Sequence, residues 1–291
     1  MTHPRILVAA ASGQLGRLVV DGLLESLPAS QIVAGVRNPD GDAAKAFAAK
    51  GVEVRKVDYA DPAGLAVAFI GIDRLLLISS NAVGHRLSQH SNAIAAAKQA
   101  GVKLIAYTSI LHADTTPLGL GDEHKQTEAA LRESGVPFAL LRNGWYTENY
   151  AASIAPALAH GAFLGAAGDG RISTAARADY ARAAAAVLTS DEDQGGRIYE
   201  LAGDNGFTLA EFAAEIAKVS GKPVVYKNLS EPEFKAALVG AGLPEGFAGL
   251  LADSDAGAAK GALFDDSGQL SKLTGRPTTP YAQTIAAAVK G

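Results

Sequence analysis

The fold of this 291-residue chain is decided by the stretch Ile6-Leu7-Val8-Ala9-Ala10-Ala11-Ser12-Gly13-Gln14-Leu15-Gly16. The stretch begins as an apolar run of strand length and passes into a short turn that contains two glycines. The residues after the turn are apolar at helical spacing, because Leu15, Leu18 and Val19 fall on one face of a helix. The stretch therefore predicts a strand, a tight turn and a helix at the start of the fold.

The same alternation continues along the first half of the chain. After the first run, at residues 5–10, five more apolar runs follow at 31–36, 52–57, 72–78, 102–108 and 136–141, and segments of helical length separate them. Runs such as Leu75-Leu76-Leu77-Ile78 are apolar throughout, which is typical of parallel strands buried on both faces. We therefore predict an α/β fold, with a doubly wound parallel sheet of the Rossmann type in residues 1–155.

The pattern changes in residues 156–291. Short runs at 197–202 and 223–228 indicate strands, residues 208–220 indicate an amphipathic helix capped by Thr208, and residues 165–170 indicate a loop. We predict that this part is a smaller mixed α/β lobe on the substrate side, which contributes to one continuous fold.

Composition excludes several classes of function. The net charge is −4 and no stretch is strongly basic, which argues against nucleic acid or an anionic membrane as the main partner. The chain has no cysteine, so it has no disulfide, thiolate metal site or cysteine nucleophile. No apolar run approaches the roughly 20 residues that span a bilayer, and the first run is too short for a signal-peptide core. We expect a cytoplasmic protein without a metal site, with a homodimer as an open alternative for its assembly.

The glycine-containing turn has the arrangement that binds a dinucleotide. Gly13 lets the backbone approach a pyrophosphate, Gly16 lets the helix pack close to the strand, and the free N–H groups of the helix bind the phosphates. Ala10 stands where a third glycine would normally allow the tight turn, and a purely structural role for the two glycines is the alternative. The residues expected to bind the cofactor here are Ala10, Ala11, Ser12, Gly13, Gln14, Leu15 and Gly16.

The end of the second strand distinguishes NADPH from NADH. NAD-binding folds place an acidic residue there for the ribose 2′-hydroxyl, whereas this chain has Arg37, which suits a 2′-phosphate. We therefore expect NADPH, with a solvated loop arginine as the alternative. Asp58 ends the third strand, where it either contacts the adenine amino group or shapes a turn.

The chain lacks the proton donor of many short-chain dehydrogenases. None of its eight tyrosines has a lysine four residues later, and His124 and Glu128 have that spacing instead. A glutamate beside an imidazole can orient it or raise its pKa, so His124 is a candidate catalytic residue, with an ordinary surface pair as the alternative. Without a strong local acid, the sequence favours acceptors whose reduced form is stabilised, such as quinones and cationic dyes, over ketones.

Three strand ends carry polar or aromatic residues where open α/β sheets bind ligands. They are Ser79-Ser80-Asn81, Ser109-Ile110-Leu111-His112 and the stretch from Arg142 to Asn149. In the third, Trp145 and Tyr146 can stack on the nicotinamide or on a flat acceptor, and Asn143 can fix the carboxamide or an acceptor oxygen. Packing between the two lobes is the alternative role for these side chains.

Several motifs together resemble one family. The chain is similar to the type 2 NAD(P)H:quinone oxidoreductases, which are atypical short-chain dehydrogenases of the NmrA-like group, close to the triphenylmethane dye reductases. The motifs are Ser12-Gly13-Gln14-Leu15-Gly16, Val36-Arg37-Asn38-Pro39, Leu76-Leu77-Ile78-Ser79-Ser80, Ala106-Tyr107-Thr108-Ser109, Leu141-Arg142-Asn143-Gly144-Trp145-Tyr146, Ala176-Arg177-Ala178-Asp179-Tyr180, Leu201-Ala202-Gly203-Asp204 and Leu263-Phe264-Asp265-Asp266.

The resemblance implies NADPH in a cleft, with a quinone over the nicotinamide and no flavin. It also implies that Arg177 helps from the second lobe and that Asn143, Gly144 and Trp145 face the quinone. Ala10 departs from the family pattern, which usually has glycine. Besides the turn, Arg37 and Asp58, the residues expected to bind the cofactor are Ser79, Ser80, Asn81, Asn143, Gly144, Trp145, Tyr146, Thr147, Glu148 and Arg177.

The main functional hypothesis is therefore NADPH-dependent reduction of quinones by direct hydride transfer. A non-catalytic redox sensor of the NmrA-like type, which binds NADP(H) and regulates a partner, also fits a chain without the Tyr/Lys pair. A relative of the sugar-nucleotide epimerases fits less well, because those enzymes need that pair.

Overall fold

The structure, a computed structural model, describes residues 4–290. The strands are β1 Ile6–Val8, β2 Ile32–Val36, β3 Glu53–Lys56, β4 Arg74–Leu77, β5 Leu104–Ile110, β6 Phe138–Asn143, β7 Ala162–Gly165, β8 Ile198–Leu201 and β9 Val225–Asn228. The helices are α1 Gln14–Leu24, α2 Asp42–Ala49, α3 Pro62–Ala68, α4 Arg86–Gln99, α5 Gly121–Ser134, α6 Thr147–Ala151, α7 Ile154–His160, α8 Arg177–Thr189, α9 Leu209–Ser220, α10 Glu231–Gly240, α11 Glu245–Ala258, α12 Gln269–Thr274 and α13 Tyr281–Lys290, with a 3₁₀ turn at Ala29–Gln31.

The large sheet has seven strands in the order β3-β2-β1-β4-β5-β6-β8. Strand β1 is parallel to both β2 and β4, so Leu7 lies between Val33 and Leu75. The order β3-β2-β1-β4-β5-β6 is that of the Rossmann fold, in which the chain reverses direction across the sheet after its third strand. The predicted fold class and the six predicted strands of the first half are confirmed, with ends that differ by at most two residues.

The chain forms two compact units, each built from three separate stretches. Unit 1 contains residues up to Ile110, Glu123–Arg142 and Arg177–Tyr199, and unit 2 contains Leu111–Asp122, Asn143–Ala176 and the residues from Glu200 onward. The predicted division into 1–155 and 156–291 stays a prediction.

Unit 1 buries the apolar strands and one face of α1. Leu15, Val19 and Leu23 are buried on that face, and α1 packs against α8. The start of α3 is capped, because the Asp61 carboxylate accepts a hydrogen bond from the Gly64 amide at 3.0 Å and Pro62 occupies the first turn. Capping by a side chain and a preset proline φ both favour a helix start.

Unit 2 has an aromatic core under α9. The rings of Phe163 and Phe212 are 5.3 Å apart, and Phe207 stacks on Phe212 at the same distance. The predicted cap of α9 is confirmed: the Thr208 hydroxyl accepts from the Glu211 amide, and the Glu211 carboxylate accepts from the Thr208 amide.

Two features of the second half differ from expectation. The loop predicted at 165–170 begins one residue later, because Gly165 ends strand β7, which pairs in parallel with β9. The run predicted at 197–202 forms β8, but β8 joins the large sheet beside β6. Within residues 4–290, no helix is long and apolar enough to cross a membrane.

Candidate functional site

The turn after β1 is tied to the sheet and leaves the start of α1 open. Ala11 donates its amide to the Gly35 carbonyl at 2.9 Å, and Gly13 donates to the Ala10 carbonyl at 3.0 Å. Gly13 is the N-cap of α1, and no side chain caps this helix end. The first amides of α1 are therefore available to an anion, which the helix dipole also attracts.

Ala10 and Gly16 explain how this turn closes. Ala10 has a φ of 54°, so it adopts the left-handed conformation that usually requires glycine. A Cβ atom on Gly16 would lie 2.5 Å from the Ala10 carbonyl oxygen and 2.7 Å from the Ala11 Cα, whereas one on Gly13 would lie 3.3 Å from that oxygen. The turn thus keeps its shape without the third glycine, and Gly16 is needed for packing.

Arg37 follows β2 directly and is exposed. Within residues 4–290 it has no ion-pair partner, so its guanidinium is available to a phosphate. Asp58 shapes a turn, because its carboxylate accepts from the Ala60 amide at 3.0 Å and its carbonyl accepts from the Asp61 amide. Its contact with adenine stays a prediction.

The segment after β4 is held by buried side chains of unit 1. The Ser79 amide donates to the Thr108 hydroxyl at 2.8 Å, and the Ser80 amide donates to Nε2 of His90 at 3.0 Å. The Ser80 hydroxyl donates to Gln89 at 2.6 Å. Burial, assisted by the charge of Arg86, lowers the pKa of His90 to about 4, so its imidazole is neutral and can accept the Ser80 amide.

His124 is not paired with Glu128, and that expectation is wrong. Nδ1 of His124 lies 2.8 Å from the Tyr107 hydroxyl, and Arg86 lies 3.2 Å from Nε2. The pKa of His124 is lowered to about 3, not raised, by burial and then by the neighbouring Arg86. The buried imidazole is therefore neutral, and its catalytic role stays a prediction.

Glu128 instead forms a buried ion pair with Arg142. Nε and Nη2 of Arg142 donate to the two carboxylate oxygens at 2.9 and 2.8 Å, and the Ser109 hydroxyl donates to the same carboxylate at 2.7 Å. The i+4 spacing in the sequence could not show this, because Arg142 and Ser109 come from neighbouring strands. This pair fixes α5 against the sheet inside unit 1.

In unit 2, Asn143 is the last residue of β6 and has an unsatisfied acceptor. Its carbonyl accepts from the Leu111 amide at 3.0 Å, which places the ends of β5 and β6 side by side. The residue is only 7% exposed, and its Oδ1 has no hydrogen-bond partner within the described chain. A buried acceptor without a partner costs free energy, so this oxygen is suited to a ligand donor.

The residues after Asn143 are positioned by the neighbouring backbone of unit 2. Gly144 donates to the Leu201 carbonyl at 2.7 Å, and Thr147 donates to the Ala175 carbonyl at 3.0 Å. The Thr147 hydroxyl lies 2.8 Å from that of Thr174, so it is already engaged. The remaining candidates of this stretch, Trp145, Tyr146 and Glu148, are half-buried, as is Arg177 at the start of α8 in unit 1.

His112 is a polar residue of unit 2 whose backbone angle and partner the sequence did not predict. It follows β5, has a φ of 53°, and lies with Nε2 3.2 Å from Asp265 Oδ2. In the sequence, only its position after a strand drew attention to His112. Asp265 is far away along the chain, and a left-handed backbone angle can be predicted from the residue type only for glycine.

Two comparisons of the sequence with known proteins agree with each other. The sequence profile of the NmrA-like family matches residues 2–270. Quinone oxidoreductase 2 of Escherichia coli (strain K12) is 59% identical over 280 residues, which cover 96% of this chain and 97% of that protein.

Solved structures agree with these sequence relatives. An Escherichia coli NADPH-dependent quinone oxidoreductase complexed with NADPH has a TM-score of 0.94 and 58% identity, and covers 97% of this chain and 99% of its own. A Citrobacter sp. triphenylmethane reductase complexed with NADP(H) has a TM-score of 0.92 and 39% identity, with coverage of 97% and 99%. The resemblance inferred from the sequence motifs is confirmed.

Proposed function

Because this chain belongs to the NmrA-like family, we propose that it is an NADPH-dependent oxidoreductase that reduces quinones by direct hydride transfer without flavin. The identity to a quinone oxidoreductase, 59% over nearly the whole chain, supports this activity. The structural observation that carries it is the uncapped first turn of α1 together with the exposed, unpaired Arg37 one strand away. These features fit the pyrophosphate and the 2′-phosphate of NADPH.

When it is bound, NADPH supplies the hydride. The amides of Gln14, Leu15 and Gly16 bind the pyrophosphate, and Arg37 binds the 2′-phosphate. The open approach at Gly13 supports this assignment, because no side chain there blocks a phosphate. The segment Ser79–Asn81 contacts the cofactor with a backbone that His90 and Thr108 hold in place.

Asn143 orients a reactant through its unsatisfied Oδ1, which accepts a hydrogen bond from the carboxamide of the nicotinamide. Trp145 and Tyr146 supply flat surfaces for an aromatic acceptor, and Arg177 adds a further cofactor contact. A quinone suits such a site because its reduced form is a stabilised anion, which needs no tyrosine activated by a lysine. The cytoplasmic location and the homodimer stay predictions.

The test is oxidation of NADPH by the purified protein with a simple benzoquinone and no added flavin, followed through the absorbance of the reduced nicotinamide. We expect quinone-dependent oxidation that is faster with NADPH than with NADH. Tight binding of NADPH without turnover across several quinones and cationic dyes would instead support a dinucleotide sensor.

A further inference from the structure

His112 lies at the end of β5, in the same part of unit 2 as Asn143. It lies two residues after β5, and the preceding Leu111 donates its amide to the Asn143 carbonyl at 3.0 Å. His112 and Asn143 therefore lie at the carboxyl ends of adjacent strands, where open α/β sheets bind their ligands. Within unit 2, an imidazole and an unsatisfied buried amide oxygen thus belong to the same pair of strand ends.

The backbone of His112 is held in a conformation that its residue type rarely adopts. Its φ is 53°, and non-glycine residues in this region cluster at functional sites. The amide donates to Glu200 Oε2 at 2.8 Å, and the carbonyl accepts from the amides of Thr115 at 2.9 Å and Thr116 at 2.7 Å. Contacts on both sides of the residue therefore fix the direction in which the imidazole leaves the chain.

The imidazole is bound at one nitrogen and open at the other. Nε2 lies 3.2 Å from Asp265 Oδ2, while Oδ1 of Asp265 accepts from the amide and the hydroxyl of Ser267. Burial opposes ionisation of Asp265, but the hydrogen bonds from Ser267 and the contact with His112 hold the pKa of this carboxyl below its usual value. A carboxylate at Nε2 fixes the tautomer, so that Nδ1 is the nitrogen left for a substrate.

Exposure supports an exchange of protons with solvent. The His112 side chain is 31% exposed and that of Asp265 is 14% exposed, and no hydrogen bond within residues 4–290 engages Nδ1. A group that delivers a proton in each turnover must recover it, and a half-exposed imidazole can recover it from water. His90 and His124 cannot do this, because both are buried and neutral.

We propose that His112 delivers the proton that quinone reduction requires, with Asp265 as its positioning residue; this inference rests on the proposed function. Hydride transfer from NADPH gives the quinone two electrons and one hydrogen, and leaves negative charge on an oxygen. The Nδ1–H bond of protonated His112 then breaks as an O–H bond forms on that oxygen, and the electron pair stays on the nitrogen. Solvent returns the proton, so the net reaction consumes quinone, NADPH and H⁺ and yields hydroquinone and NADP⁺.

The variants His112→Asn and His112→Gly test this proposal. Both residue types accept the left-handed backbone, so the fold should be kept while the imidazole is removed. We expect kcat with benzoquinone to fall about 10²-fold in both variants, the low end for a lost general acid, because the hydroquinone anion is already stabilised. The Kd of NADPH should not change. The exposed His160, on α7, provides His160→Asn as a matched control with native kcat.

A purely structural role for His112 predicts different results. Imidazole added to the solution should raise kcat of His112→Gly and leave the native rate unchanged, whereas a structural defect would show no rescue. Across a series of quinones, the loss should be larger for those that give less acidic hydroquinones. Asp265→Asn, which keeps the imidazole, should retain more activity than His112→Asn.

The failure of this inference is distinguishable from that of the proposed function. If the native protein oxidises no NADPH with any quinone, the proposed function fails and the role of His112 with it. If the native protein and His112→Asn reduce quinones at the same rate, or imidazole does not rescue His112→Gly, only the role of His112 is refuted.

Discussion

Replacement of Gly16 by alanine tests how the turn after β1 is built. In Gly16→Ala, the added methyl would lie 2.5 Å from the Ala10 carbonyl oxygen, 2.7 Å from the Ala11 Cα and 2.9 Å from the Ala11 carbonyl oxygen. All three atoms belong to the backbone, so no side chain can rotate away. Either α1 moves off the strand, or the turn that presents its amides changes shape.

These contacts determine how much stability Gly16→Ala should lose. Overpacking in a well-packed region destabilises a protein by about 1–3 kcal/mol. With backbone atoms on each side of the methyl, we expect the upper end, a loss of about 3 kcal/mol in the free energy of unfolding. This corresponds to roughly a 100-fold change in the folding equilibrium constant. Binding of NADPH should weaken as well, because the phosphates depend on the amides of the displaced turn.

Gly13→Ala is the matched control. Its methyl would lie 3.3 Å from the Ala10 carbonyl oxygen, and Gly13 has an extended φ of −72° that alanine tolerates. This variant should keep its stability to within about 0.5 kcal/mol and still bind NADPH less tightly, since the methyl lies where a phosphate approaches. Urea unfolding and titration with NADPH separate the two effects. A Gly16→Ala protein with native stability and native affinity would refute this account of the turn.

Three more predictions concern the turn, the 2′-phosphate and acid. Ala10→Gly should raise the free energy of unfolding by about 0.5–1 kcal/mol, because relief of the left-handed backbone (about 1–2 kcal/mol) exceeds the added chain entropy (about 0.4–1 kcal/mol); a lower urea midpoint would contradict this. Arg37→Asp should raise the Kd of NADPH about 10- to 100-fold and that of NADH little, as titration can measure; equal weakening would disprove the 2′-phosphate contact. Burial lowers the pKa of His90 to about 4 and of His124 to about 3, so the unfolded chain takes up these protons first as the pH falls below 6.5. The contribution of the two histidines to stability should be complete above that pH and be lost below it. Below pH 6 the native Asp255, whose pKa burial raises to about 6, also takes up a proton and offsets one of the two. The free energy of unfolding in urea should therefore fall by roughly 1.4 kcal/mol per pH unit from about pH 6 to about pH 4; a flat profile would exclude the mechanism.

The first half of the fold could be predicted because its signals are local. Most strands there are continuous apolar runs, and the cap of α3 joins two residues three positions apart, Asp61 and Gly64. The cap of α9 in the second half, at Thr208, is equally local. Strand β7 could not be predicted, because Ala162–Gly165 has no alternation and pairs with a strand some 60 residues away. The place of β8 beside β6 is equally non-local, since a short run carries no information about its neighbour.

In the candidate site, too, local features could be predicted and contacts between distant residues could not. The turn residues and Arg37 were predicted from strand ends, which the sequence marks clearly, and their contact with the cofactor stays a prediction. The partner of His124 was predicted wrongly, because helical spacing suggested Glu128 while the sheet supplies Tyr107. The unsatisfied Oδ1 of Asn143 and the strained backbone of His112 depend on three-dimensional surroundings, which no single residue type indicates.

The three-stretch construction of unit 1 has a consequence for synthesis of the chain. Helix α1 packs against α8, which ends at Thr189, and the last stretch of the unit ends at Tyr199. At about 5–20 residues per second, a ribosome needs roughly 10–40 s to reach that point. During this time α1 has β1 and β2 as native partners but lacks α8, so the apolar surface that α8 covers in the finished fold stays exposed to aggregation. A chain cut at residue 155 would stay in this state, because it ends before α8.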